Sequence, residues 1–169
     1  MRSIRFLASV RVLAFIGCAL LLLGVTSCDK GLAPPPASSR STLLGKVSFK
    51  GTWPQVDSTW ALAIALVPDA PPFTPSTLIS GVLSGAVKYL PLKYHTRDTT
   101  FLFEIDTGTY HYLGIAQQFG PDLFADLKVV GFAHNRQDSA LSFTFGPGAE
   151  LTADIIVNWD SLPRQPFVQ

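Results

Sequence analysis

The chain is nearly devoid of cysteine: of its 169 residues only Cys18 and Cys28 carry a thiol. Both lie within the first 28 positions, so the rest can build neither a disulfide framework nor a thiolate zinc site. Histidine is almost as scarce. His95, His111 and His134 are 16 and 23 residues apart, far from the close ligand spacing of zinc motifs. Charge is sparse and balanced, with 13 Lys and Arg against 12 Asp and Glu, which leaves no basic excess to hold nucleic acid. No Gly-x-Ser-x-Gly elbow occurs; Ser80-Gly81 and Ser84-Gly85 read as loop chemistry. No apolar run reaches the roughly 20 residues of a membrane-crossing helix. No convincing amphipathic helix of ten or more residues is evident.

What is present begins at the N-terminus. Arg2, Arg5 and Arg11 precede an uncharged stretch at 12–25, and Val25-Thr26-Ser27-Cys28 follows. This order resembles a secretory signal, and its last four residues resemble the lipobox of bacterial lipoproteins. The resemblance implies removal of 1–27, lipid (palmitate among it) on Cys28, and a bacterial cell-envelope address, on the periplasmic face or the cell surface. Phe15-Ile16-Gly17-Cys18 is a rival, but cleavage there would strand apolar residues 19–25 in the mature chain. Loss of three leader arginines leaves 10 basic against 12 acidic residues, a net of −2. Residues 28–42, rich in Pro, Ser and Ala, read as the lipidated Cys and a flexible tether that could span about 45 Å.

From residue 43 to the end the pattern is all-β. Alternation at 43–50 places Val47 and Phe49 on one face and Lys46, Ser48 and Lys50 on the other. Residues 60–67 form a continuous apolar run, as in a central strand covered on both faces. The segment 68–86 is too long and Pro-rich for a hairpin; its Phe73, Leu78, Ile79, Val82 and Leu83 suggest that it packs back on the domain with a short turn of helix. Further strands are expected at 87–94 (at an edge, or broken, because of Pro91), 99–105, 109–119, 127–133, 141–145 and 151–159. About seven to eight strands with regular turns predict a sandwich or barrel; the corner and the resemblance that follow imply a single Greek-key β-sandwich.

Asp106-Thr107-Gly108-Thr109-Tyr110 fits a tyrosine corner, in which Asp106, Gly108 and Tyr110 fix a crossover between sheets. Tyr112 stands where immunoglobulin domains carry a Cys, and strand alternation sets Tyr110 and Tyr112 on one face with His111 on the other. The order Gly45-Lys46-Val47, the apolar strand at 61–67, Phe101-Leu102-Phe103 through Gly108-Thr109-Tyr110, and a last strand at 147–157 resembles the transthyretin-like, carboxypeptidase-regulatory domains. That resemblance implies a non-catalytic module for folding, adhesion, or protein or glycan binding.

Chemistry is thinly represented. Glu104 and Asp106 are a carboxylate pair only by sequence proximity, and strand-end acids are usually solvated. Asp154, Asn158 and Asp160 approach a calcium set without an EF-hand order. Neither a metal nor another cofactor is expected, and no enzyme activity. Aromatics offer more. Trp53, in a turn before Pro54, could stack on a sugar ring, and Phe73 marks the long loop as a second possible binding surface. Trp60 and Trp159 are expected to close the two ends of the core. The sequence therefore points to a membrane-anchored lipoprotein with a structural, adhesive, or protein- or glycan-binding β-sandwich. An accessory subunit of an envelope polysaccharide or transport system is the alternative.

Overall fold

The computed structural model describes residues 40–135 and 139–167. The expected lipobox, Cys28 and residues 29–39 of the expected tether lie outside the described residues, and the last two tether positions, Ser41 and Thr42, belong to the first strand. The fold is an all-β sandwich. Among the described residues ten short strands run β1 (Ser41–Lys50), β2 (Ala61–Val67), β3 (Lys88–Pro91), β4 (Asp98–Ile105), β5 (Gly108–Tyr110), β6 (Tyr112–Gln118), β7 (Leu127–Phe132), β8 (Phe143–Phe145), β9 (Glu150–Thr152) and β10 (Ile155–Asn158). They map onto the eight segments read from the sequence. β5 and β6 are one segment broken at His111, and β9 and β10 one segment broken at Ala153 and Asp154.

In one sheet β1 is central. It pairs antiparallel with β4 from Ser41 to Ser48 and parallel with β9 and then β10 on its other side. At the handover from β9 to β10 the chains approach closely. A Cβ on Gly45 would run into the Ala153 carbonyl and the Phe101 ring, which is the physical reason for glycine here. The second sheet has the order β3-β2-β6-β7, so the Pro91 strand is indeed at an edge. β5 pairs with β8 in a separate two-stranded sheet.

The core lies between the two large sheets. Alternation delivers Leu43, Val47, Phe101, Phe103 and Ile105 from one side and Leu62, Ile64, Leu66, Leu113 and Ile115 from the other. Gln117 shares that inward face at its end. It is fully buried, and its amide donates to the Ser58 carbonyl and Thr59 Oγ1, which anchors the loop between β1 and β2.

Three expectations change. First, the 68–86 segment holds a true ten-residue helix, α1 (Pro75–Ser84). It is set by local chemistry rather than by a strong apolar stripe. Thr74 Oγ1 accepts from the Thr77 N–H while Thr77 Oγ1 accepts from the Thr74 N–H, Pro75 starts the first turn, and Gly85 ends the helix at φ 77°. This is a capping box closed by Thr instead of Glu, followed by a left-handed C-terminal glycine. Secondly, Trp60 does not close the core. It precedes the first strand residue and is 60% exposed. Thirdly, Tyr110 and Tyr112 do not share a face. The chain changes sheets at His111, so Tyr110 enters the sandwich core while Tyr112 joins a second cluster outside it.

Candidate functional site

The second cluster lies on the outer face of the β3-β2-β6-β7 sheet. Here the continuous apolar run of β2 resolves into an alternation of size. Leu62, Ile64 and Leu66 face the core; Ala61, Ala63 and Ala65 face outward. β6 repeats the device with Leu113 and Ile115 inward and Gly114 and Ala116 outward. In β7 a bulge supports it: Ala116 pairs with Val129 but Ile115 with Gly131, so Val130 is an extra residue. The bulge resets the alternation. Leu127 and Val129 line the outer face, Val130 enters the core, and Phe132 returns outward to stack on Tyr112 at 5.7 Å.

Helix α1 roofs this face with Leu78, Ile79 and Val82 but does not seat on it fully. A groove of about 280 Å³ remains between roof and floor, with walls that are almost wholly apolar. Phe73 closes one side. It is buried and packs edge-on to Tyr112 at 5.3 Å, so it is a wall and not an exposed contact. Burial drives the Tyr112 phenol well above the ordinary tyrosine range.

A strap from the C-terminus fixes this arrangement. Phe73 donates its N–H to the Pro166 carbonyl at 2.7 Å and bridges Phe167. Gln165 pairs its side-chain amide with the backbone of Val129, accepting from its N–H at 2.8 Å and donating to its carbonyl at 2.9 Å. One side chain thus imitates a neighbouring strand along the free edge of β7.

A second concavity, of about 680 Å³ and widely open, lies between the end of β1 and the approach to β4. Trp53 is part of its wall. The ring is half-buried and packs against Phe49 at 4.7 Å, Trp159 at 4.9 Å and His95 at 5.3 Å. His95 stands at φ 54°, which is uncommon outside glycine. Asp98 accepts from the Ser48 hydroxyl at 2.7 Å and meets Lys46 at 3.2 Å. The Ser48 hydrogen bond first, and then Lys46, hold its carboxyl below the usual aspartate range. Trp53 and Phe73, the two binding-surface candidates, therefore belong to different concavities.

The remaining candidates separate. Glu104 pairs with Arg40 at 2.8 Å, while Asp106 is exposed. Asp154 accepts from the Lys46 N–H, and Asp160 from the Thr52 N–H. His111 meets the Ser142 hydroxyl at 3.1 Å. Among the described residues no three His, Cys, Asp or Glu side chains gather as a metal set. At the corner, Gly108 takes φ 156°, and Tyr110 is buried edge-on to Phe145 at 5.9 Å. Burial first, and then the Asp106 charge, raise the Tyr110 phenol. The groove itself was missed in the sequence, although the Ala–Leu alternation of β2 was a usable signal. No protein-family model, curated protein or solved structure matches the chain.

Proposed function

We propose that this protein is a lipid-anchored, non-catalytic binding module of the bacterial cell envelope. Its α1-roofed groove takes an apolar segment of a protein partner. The observation that carries this reading is how the exposed apolar side chains are distributed. Leu83, Tyr89 and Leu123 line the groove yet remain 83%, 54% and 42% exposed. A pocket for a small ligand needs apolar walls but no apolar rim. A concavity bordered by exposed Leu83, Tyr89 and Leu123 matches a protein interface, where large anchors enter a pocket and the surrounding contacts exclude water.

The anchor supports the same reading. Lipid on Cys28 and a Pro- and Ser-rich tether would keep the domain beside envelope proteins at high local concentration. The test is photo-crosslinking in cells, with the full chain carrying a photoreactive residue at Leu83. A defined protein adduct is expected, and Ala65→Trp, which fills the groove from its floor, should abolish it. An adduct that survives Ala65→Trp with the fold intact, or no protein adduct, overturns the groove as the binding site.

A further inference from the structure

We infer that the cleft beside Trp53 is a second binding site, for an acidic saccharide: a sugar chain bearing carboxylates. The domain as a whole is mildly acidic, yet this cleft is walled by Lys50, His95 and Arg97. Among the described residues neither Lys50 nor Arg97 enters an ion pair, and the His95 ring makes no hydrogen bond. Both cations are exposed. The carboxylate in the wall, Asp98, is already engaged by the Ser48 hydroxyl and Lys46. The neighbouring Asp160, which approaches Gly51, accepts the Thr52 N–H. Both acids thus have partners within the protein; the Arg97 charge also acts on Asp98, but neither Lys50 nor Arg97 is closed in a salt bridge, so both can meet outside anions.

The second requirement of a sugar site is a flat apolar surface for ring C–H groups. Trp53 and His95, 5.3 Å apart, supply an aromatic wall in the same cleft. The wall is rigid. Trp53 packs against Phe49 and Trp159, and His95 keeps its uncommon left-handed backbone. Backbone outliers of this kind concentrate at ligand sites because the surroundings must hold them in place. The cleft is wide and shallow, unlike the narrow apolar groove under α1. A hydrated polymer can lie in such a cleft with much of its surface still in water. Aromatic wall and free cations together select a sugar that carries negative charge over a neutral one.

The test is calorimetric titration of the purified, detergent-solubilised full chain with a hexameric oligogalacturonate. A neutral oligosaccharide of equal length and inorganic polyphosphate serve as comparisons. Binding of the oligogalacturonate alone is expected, weakening as salt is raised. The exposed double change Lys50→Gln with Arg97→Gln should weaken it about tenfold, the sum of two exposed charge contacts, without altering the unfolding midpoint by more than a surface change would. Trp53→Phe, which keeps a ring in the wall, should weaken binding less than the double change. No binding of the oligogalacturonate overturns the inference. So does equal binding of the neutral sugar, binding of polyphosphate as tight as that of the acidic sugar, or a double variant that binds as wild type.

Discussion

Gln165→Ala tests the strap that holds the groove together. Its amide makes two hydrogen bonds to Val129, at 2.8 and 2.9 Å, and Val129 is only 4% exposed. Each such bond contributes about 0.5–1.5 kcal/mol net, and more when truncation leaves a buried partner unsatisfied. Water can reach an edge strand once the side chain is gone, which limits the second term. The expected loss is about 2 kcal/mol, or a fall of roughly 8 °C in Tm for a domain of this size. Chemical denaturation gives the free energy. Hydrogen exchange gives the location: the Val129 amide should exchange faster, while the Ile115 amide, inside the sheet, should follow only the global change. Gln165→Glu keeps an oxygen for the Val129 N–H but sets a carboxylate against the Val129 carbonyl, so it should not rescue the loss. A cost below about 0.5 kcal/mol, the scale of an ordinary surface change, would refute the strap as a structural element.

Gly81→Ala should destabilise the protein by about 1 kcal/mol despite a gain of similar size in helix propensity, because the new methyl would lie 2.5 Å from Val87 Cγ2; Ser80→Ala, on the exposed neighbour, should be neutral or mildly stabilising in the same denaturation assay. The Asp98 carboxyl should titrate below an ordinary aspartate by NMR, and Ser48→Ala should move it upward. Because the folded value is the lowered one, its contribution to stability is present above the ordinary aspartate range and is lost as pH falls through the lowered value. Cys28→Ser should leave unprocessed precursor, and mass spectrometry of the wild type should find a lipid-modified N-terminus at residue 28.

The strands were legible because one face of each faces a core, and a period of two survives in the residues: Val47 with Phe49, and Phe101 with Phe103 and Ile105. Helix α1 was not. Its four apolar residues stand among Pro, Ser and Gly, and its start is fixed by a Thr–Thr exchange that the usual Ser/Thr-x-x-Glu template does not describe. Trp60 was misplaced because hydrophobicity argues for burial, whereas position beyond a strand end decides it. The groove was hidden by reading residues 61–67 as uniformly apolar. Alanine and leucine count alike in such a reading, but only the small residue leaves room. The β7 bulge depends on pairing with β6, so nothing local in the sequence announces Val130 as the extra residue.

The parallel pairing of β1 with the C-terminal strands has a consequence for how the chain is made. Lys46 and Asp154, 108 residues apart, are joined across that seam. β1 leads the described strands and is central in its sheet, yet one of its two sides stays open until β9 and β10 follow. Contacts so distant in sequence form slowly. Until they form, β1 offers an unpaired row of backbone groups on which other chains could add. A chain cut short before Glu150 would keep that row open permanently, which makes β9 and β10 the condition for a closed sheet.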